Sequence, residues 1–327
     1  MAILIGNYNA YKLKLDARGS TAWCTRVKAV QEFGPDLLGL QEVVVDEAAT
    51  PPAQWDAVAA LTIAAFAEDC GLSAAVPATP GRPQGVAMAA NSHRAWYTAV
   101  LWNPDSVGHV SGSYRPLGAP DFWHGLTTLA FDIGAAEPLT LVSYQGDPFR
   151  PNWRAEEALR IKGLLRRTGG VKPALVIGDF NALSAALRPR RWWQWRRKYY
   201  DAEPYLKQRH DDLEYQVQPN RIGKRFRRQL ADREQTKNLL RDGYMVDAAA
   251  HLGVPWHPTV GHWPDGQGDP DPWGMRRIDL ILASRPVVPA LQEYGVQGSK
   301  AALAGSDHLI PWITVDPVKI AVEAGGR

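Results

Sequence analysis

Apolar runs that end in a carboxylate or carboxamide recur along this chain and constrain its fold more than any other feature. They are Ile3-Leu4-Ile5-Gly6-Asn7-Tyr8-Asn9, Leu37-Leu38-Gly39-Leu40-Gln41-Glu42, Leu175-Val176-Ile177-Gly178-Asp179-Phe180-Asn181 and Arg277-Ile278-Asp279-Leu280-Ile281-Leu282, with Gly305-Ser306-Asp307-His308 closing the set. Short continuous apolar runs bounded by turn signals suit strands covered on both faces. Acids and amides at their ends would then converge at one edge of the sheets. Hard oxygen donors gathered there suit a divalent cation such as Mg²⁺.

The spacing between these runs sets the remaining elements. Strands are expected at 2–9, 36–42, 84–90, 95–102, 106–110, 125–133, 138–145, 174–179, 276–283, 293–297 and 309–315. Helices are expected at 21–33, stopped by Gly34-Pro35, at 54–70, ending at Gly71, and at 151–168 with Asn152 as the cap. Strands dominate, so the pattern predicts an α/β (α+β) sandwich of two sheets face to face with helices outside. One domain over 1–327 is expected, because the motifs run from Asn9 to His308 and any split would separate them. No apolar run is long enough for a membrane span. The N-terminus lacks a basic leader and reads directly as a strand. Two cysteines, Cys24 and Cys70, are too few for a disulfide framework. A cytoplasmic protein is the expectation, and nothing identifies a protein partner.

The net charge of +3 is unevenly placed. Between Arg188 and Arg241 there are 16 Lys/Arg against 7 Asp/Glu, a local excess of +9, which leaves the rest near −6. The run Arg188-Pro189-Arg190-Arg191-Trp192-Trp193-Gln194-Trp195-Arg196-Arg197-Lys198-Tyr199-Tyr200 interleaves cations with aromatic rings, and Arg221–Arg228 adds more charge. Cations attract phosphates and aromatic faces stack on bases, so 188–228 is a candidate nucleic-acid-binding surface, with Arg191 and Arg196 as candidate contacts. The competing readings are an inserted, largely helical segment over about 184–241 docked through its tryptophans, or an acidic lipid surface as partner.

In this order the motifs resemble the endonuclease/exonuclease/phosphatase superfamily, and the resemblance spans Asn9 to His308. It implies the four-layer sandwich of pancreatic deoxyribonuclease: two mainly antiparallel sheets flanked by helices, here with a basic helical insertion. It also implies a phosphoesterase that hydrolyses phosphodiesters with a metal-activated water, using Mg²⁺ or Mn²⁺. Glu42 resembles the principal metal-binding glutamate, and Asn9 the asparagine that holds the metal's water or the phosphate. Asp179 resembles the aspartate that orients or deprotonates the attacking water, and Asn181 the asparagine on a phosphate oxygen. Asp279 resembles the acid that steers a histidine or assists at the metal. Asp307 resembles a residue near the metal, and His308 the group that binds phosphate or shares acid/base work.

One position departs from the family. Many relatives carry a histidine on the strand before the long helix, where this chain has Tyr144-Gln145. Gln145 takes that place in the gapless alignment, and Tyr144 in a register shifted by one. Gln145 could donate a hydrogen bond to phosphate but not protonate a leaving group. His124 and Trp123, ahead of a strand near the site, are further candidate substrate contacts. Ordinary readings stand beside these: Asp179 and Asn181 as an Asx turn, Asp279 paired with Arg276 or Arg277, and Asn7 in place of Asn9. The leading function is a nuclease on DNA or RNA. The alternatives are a phosphatase or phosphodiesterase of a small phosphorylated metabolite or lipid headgroup, and a catalytically weakened nucleic-acid binder.

Overall fold

The computed structural model of the protein describes residues 1–79, 84–90, 93–188, 198–205, 216–219, 229–263 and 274–322. In chain order its strands are β1 (Ile3–Leu13), β2 (Leu37–Val44), β3 (Trp96–Trp102), β4 (Gly108–His109), β5 (Arg115–Leu117), β6 (Leu126–Asp132), β7 (Leu139–Gln145), β8 (Arg166–Arg167), β9 (Gly170–Val171), β10 (Ala174–Asp179), β11 (Val217–Pro219), β12 (Gln229–Ala231), β13 (Met245–Asp247), β14 (Asp279–Ser284), β15 (Leu291–Gln297) and β16 (Ile310–Val315). The helices are α1 (Thr21–Phe33), α2 (Trp55–Cys70), α3 (Pro151–Leu165), α4 (Glu234–Leu240), α5 (Ala248–Leu252) and α6 (Lys300–Gly305).

Two sheets carry the architecture. The first runs β15-β16-β1-β2-β3, the second β13-β14-β10-β7-β6-β4 with β5 also on β6. Pairing is antiparallel except at the centre of each sheet, where β1 lies parallel to β2 and β7 parallel to β10. Ile5, Leu37, Val100, Leu141, Leu175 and Ile177 fill the space between the sheets. Tyr8, Leu38 and Leu40 face outward under α1, α2 and α6, while Val142, Tyr144 and Val176 face α3 and α4 on the other side. The four layers expected from the sequence are therefore present. Strands covered on both faces explain why the apolar runs are continuous rather than alternating.

The helix ends follow local chemistry. The Ser20 side chain accepts from Trp23 N at the start of α1, and left-handed Gly34 closes it. The expected helix 151–168 is shorter. It opens on Pro151, with Arg150 rather than Asn152 at the cap, and ends at Leu165 because Arg166–Arg167 pair with Gly170–Val171. The expected strand at 84–90 contributes only isolated bridges, Ala75 with Val86 and Met88 with Ala99. No helix among the described residues is long and apolar enough to cross a membrane.

Within 184–241 the described elements are α4 and the β11–β12 pair; 189–197, 206–215 and 220–228, with Arg191 and Arg196, lie outside the described residues. The segment is rooted by buried ion pairs. Arg277 on the approach to β14 holds Asp201 (2.8 Å) as well as Asp247 (2.6 Å), and Arg154 on α3 holds Asp232 (2.8 Å); within the segment, Arg233 pairs with the half-buried Glu203 (2.9 Å).

Candidate active site

Both central parallel pairs end at the same cleft. Asn9 sits opposite Gln41 in the first sheet and Asp179 opposite Gln145 in the second. Regular alternation delivers Asp179: Leu175 and Ile177 face the other sheet, Val176 faces α3, and Asp179 follows Ile177 inward. The contact of β10 with β7 depends on Gly178, since a Cβ there would lie 1.8 Å from the Tyr144 carbonyl oxygen.

Glu42 arrives differently. Leu38, Leu40 and Val43 all face the outer helices, so strict alternation would send Glu42 to that side as well. Instead the pairing of β2 shifts register between Leu40 and Val43, and Glu42 takes a left-handed backbone with φ of 58°. Such a bulge re-aims one side chain, here a carboxylate into the cleft. Asn181 is also left-handed, with φ of 49°. Strained non-glycine backbone at two acid- and amide-bearing positions of one cleft is the kind of cost that accompanies a functional site.

The side chains form one hydrogen-bonded set. Asn9 Nδ2 donates to Glu42 Oε1 (3.1 Å) and Asp179 Oδ2 (3.2 Å) and lies 3.4 Å from His308 Nε2. Gln145 Nε2 donates to Glu42 Oε1 (3.3 Å) and Lys12 N to Glu42 Oε2 (3.1 Å). Asn181 N donates to Asp179 Oδ1 (2.9 Å), and its amide donates to the Gly146 carbonyl (3.1 Å). His308 Nδ1 is 2.8 Å from Asp279 Oδ2, which directs Nε2 toward the carboxylates. Asp279 is placed in turn by Thr259, whose hydroxyl accepts from Ile278 N and Asp279 N, both at 3.2 Å. Ser306 accepts from His308 N (3.1 Å) and donates to the Asn9 carbonyl (2.7 Å), tying the last motif to the first.

Burial dominates the electrostatics. It raises the Glu42 carboxyl above its ordinary range and lifts Asp179 to about 7, and His308 partly offsets both. Burial opposes the charge on His308, but the carboxylates of Asp279, Asp307 and Asp179 outweigh it and raise the imidazole well above 6.5. Ligand atoms of Glu42, Asp179 and His308 lie within 4.8 Å of one another. Gln145 Oε1 is buried beside them with no hydrogen-bond partner. Carboxylate oxygens that burial makes costly to ionise, together with an orphaned amide oxygen, fit a divalent cation.

Asn9, Glu42, Gln145, Asp179, Asn181, Asp279 and His308 are thus brought together. Asp307 lines the same cleft without joining the three-residue group, and Trp123 and His124 form part of its wall. Burial pushes His124 down to about 3, so it meets the cleft as a neutral ring. Tyr144 is a correction. One residue before Gln145, it faces the opposite side of β7, where its hydroxyl donates to Glu157 and accepts from Gln235 Nε2 (2.6 Å). Strand alternation excludes both residues from one cleft, and Gln145 is the one that lines it. Asp279 pairs with His308 instead of an arginine; Arg277 is held by Asp201 and Asp247, and Arg276 donates to Gln216 Oε1 (2.9 Å). Asn7 is buried with neither amide atom partnered and does not line the cleft.

The cleft has a volume of about 370 Å³, and its wall includes residues the sequence did not single out: Arg94, Trp96, Phe149, Gln216 and Trp263. Most sit in loops, where no periodicity marks them. Gln216 comes from the basic segment, which therefore borders the site.

The profile of the Endonuclease/Exonuclease/phosphatase family matches residues 6–308 of the chain. Among solved structures, the endonuclease/exonuclease/phosphatase from Bacteroides vulgatus is similar at 13% identity and a TM-score of 0.56, over 97% of this chain and 99% of that one. Humanized D. rerio TDP2 is similar at 13% identity and 0.53, over 96% and 99%. D. rerio TDP2 complexed with single strand DNA product gives 12% and 0.53, over 96% and 99%. No curated protein matches the sequence.

Proposed function

The chain belongs to the Endonuclease/Exonuclease/phosphatase family, and from that premise we propose that it is a Mg²⁺- or Mn²⁺-dependent phosphodiesterase acting on DNA or RNA. Family membership supports a hydrolase of phosphoester bonds. The observation that carries the finer reading is the Asn9 amide, which touches Glu42, Asp179 and His308 at once and so joins both sheets at one point. Glu42 would be the principal carboxylate for the cation, with Asp307 on the wall of the same cleft. When bound, the cation supplies positive charge to the phosphoryl oxygens of an anionic diester and to the charge that develops in the reaction.

The protein's own groups do the rest. Asp179, fixed by Asn181 N and Asn9 Nδ2, orients the attacking water and takes its proton. His308, with its Nδ1 proton held by Asp279, presents Nε2 to a phosphate oxygen. Gln145 and Asn181 offer amide donors to the remaining oxygens. Gln145 has no proton to give a leaving group, so the leaving oxygen draws its proton from solvent. Support for nucleic acid as substrate comes from the cations and aromatic rings of 188–228, and from the single strand DNA product held by a protein of the same fold. The modest volume of the cleft, about 370 Å³, favours a second reading, a small phosphorylated metabolite.

A Mg²⁺-dependent assay across single- and double-stranded DNA and RNA tests the proposal. Cleavage that disappears in EDTA and in Glu42→Ala and Asp179→Ala supports it. Phosphate release from metabolites with intact nucleic acids selects the second reading. Nucleic-acid affinity in EDTA without any turnover marks a pure binder. Full activity in Glu42→Ala overturns the site assignment.

A further inference from the structure

An exposed aromatic ring carries information when it stands on the wall of a cleft beside convergent polar groups. Phe149 is 58% exposed, yet it lines the same cleft as Glu42, Asp179 and His308. Its backbone is fixed: Phe149 N donates to Asp147 Oδ1 at 2.8 Å, and Asp147 is fully buried. Trp123 meets Phe149 edge to face, with ring centres 6.1 Å apart at 88°. Trp123 is itself clamped. Its backbone N–H donates to Glu157 Oε1 (2.8 Å), His93 stacks on its ring (4.8 Å, 25°), and the Arg150 guanidinium lies 4.6 Å from the ring centre. Arg150 is locked in turn by Asp147 Oδ2 at 2.6 Å. The wall is thus built rigid before any ligand arrives, which lowers the ordering cost of binding.

We propose that Phe149, backed by Trp123, is a base-stacking platform next to the reacting phosphate, and that the substrate is nucleic acid with an unpaired nucleotide there. This rests on the phosphodiesterase reading above and narrows it. A cleft of about 370 Å³ accommodates a ligand the size of one nucleotide rather than a duplex. A duplex keeps its base faces stacked on one another, so it could offer one to Phe149 only by extruding a nucleotide, at a cost a single strand does not bear. A single strand also leaves every base free for sequence-independent stacking.

The test measures binding and turnover separately. Tryptophan fluorescence is titrated in EDTA with a short single-stranded DNA oligonucleotide and with the same sequence as a blunt duplex. Hydrolysis of both, and of bis(para-nitrophenyl) phosphate, is then followed with Mg²⁺. Single-strand affinity should exceed duplex affinity, fall about tenfold in Phe149→Ala and return in Phe149→Trp. The exposed position makes misfolding of these variants a poor explanation, and far-ultraviolet circular dichroism checks it. Equal binding of the two oligonucleotides, or unchanged single-strand affinity in Phe149→Ala, overturns the platform. If the platform fails while the aryl diester is still cleaved, the phosphodiesterase reading stands alone. If Phe149-dependent binding persists but no diester is cleaved, the platform stands and the catalytic reading falls.

Discussion

In the first sheet the parallel pair β1–β2 leads to Asn9 and Glu42; in the second, β7–β10 leads to Gln145 and Asp179. Each pair offers one amide and one acid to the same cleft, but the acids arrive by different routes. Asp179 rides a regular strand and needs only the correct parity. Glu42 needs a bulge and a left-handed backbone, so its direction is set against the run of its own strand. A site between two sheets can therefore combine one acid placed by periodicity with one placed by strain, and the two should respond differently to mutation.

The largest effect should be on turnover. Asp179→Asn removes the proton acceptor and should lower kcat by roughly 10²–10⁴ at saturating Mg²⁺. Glu42→Gln should lose activity in a way that added metal partly restores. Steady-state rates across a metal titration separate the two; identical metal dependence would break the division of roles between the sheets.

Next in size is the contrast between two glycines. A Cβ at Gly178 would strike the Tyr144 backbone, so Gly178→Ala should cost more than about 4 kcal/mol or prevent folding. At Gly39, on β2, the nearest atoms to a Cβ are all side-chain atoms, Ile177 at 2.8 Å and Asn7 Oδ1 at 3.3 Å. Gly39→Ala should cost about 1–3 kcal/mol, read by urea unfolding. Equal costs would mean the central pairs tolerate strain alike.

The layers behind the two pairs also differ. Leu40 and Val43 cover an apolar layer, whereas Tyr144 covers the buried carboxyl of Glu157. Burial raises that carboxyl from 4.5 to about 7. Between those values the folded protein binds more protons than the unfolded chain, so stability falls as pH rises through the window. The fall attributable to Glu157 is up to about 3 kcal/mol. Unfolding midpoints measured across the window should show it, and Glu157→Gln should reduce the slope to the share that Asp179 contributes.

The smallest effect falls on the bulge. Glu42→Gly removes both the left-handed strain and a buried acid, so the inactive variant should be more stable by about 1 kcal/mol, seen as a raised Tm. A lowered Tm would mean that the bonds from Asn9 and Lys12 outweigh the strain.

The same contrast explains what could be read from the sequence. Asp179 was legible because it ends an apolar run, whereas the sequence left Gln145 and Tyr144 both open, and only the pairing of β7 decides which of them faces the cleft. Glu42 was legible only as a residue type after such a run; no periodicity marks a bulge, and regular alternation would have turned it away. The cleft wall was largely illegible. Phe149, Trp96 and Trp263 belong to turns or strand ends, and their convergence depends on long-range packing. Thr259, which fixes Asp279 from a loop, left no local signal.

The Arg277 ion pairs bear on how this chain can be shortened. Arg277 has no exposed surface, and Asp201, one of its two carboxylates, belongs to the basic segment. Deleting that segment whole would leave the Arg277–Asp247 pair intact but take away the Asp201 acceptors of Arg277 Nε and Nη2, buried donors whose loss costs about 1–3 kcal/mol. A viable trimmed form must keep 198–205 or replace Arg277 as well. Relatives lacking the segment should therefore also lack the arginine, which makes position 277 a one-residue marker in sequence surveys for the presence of the whole basic arm.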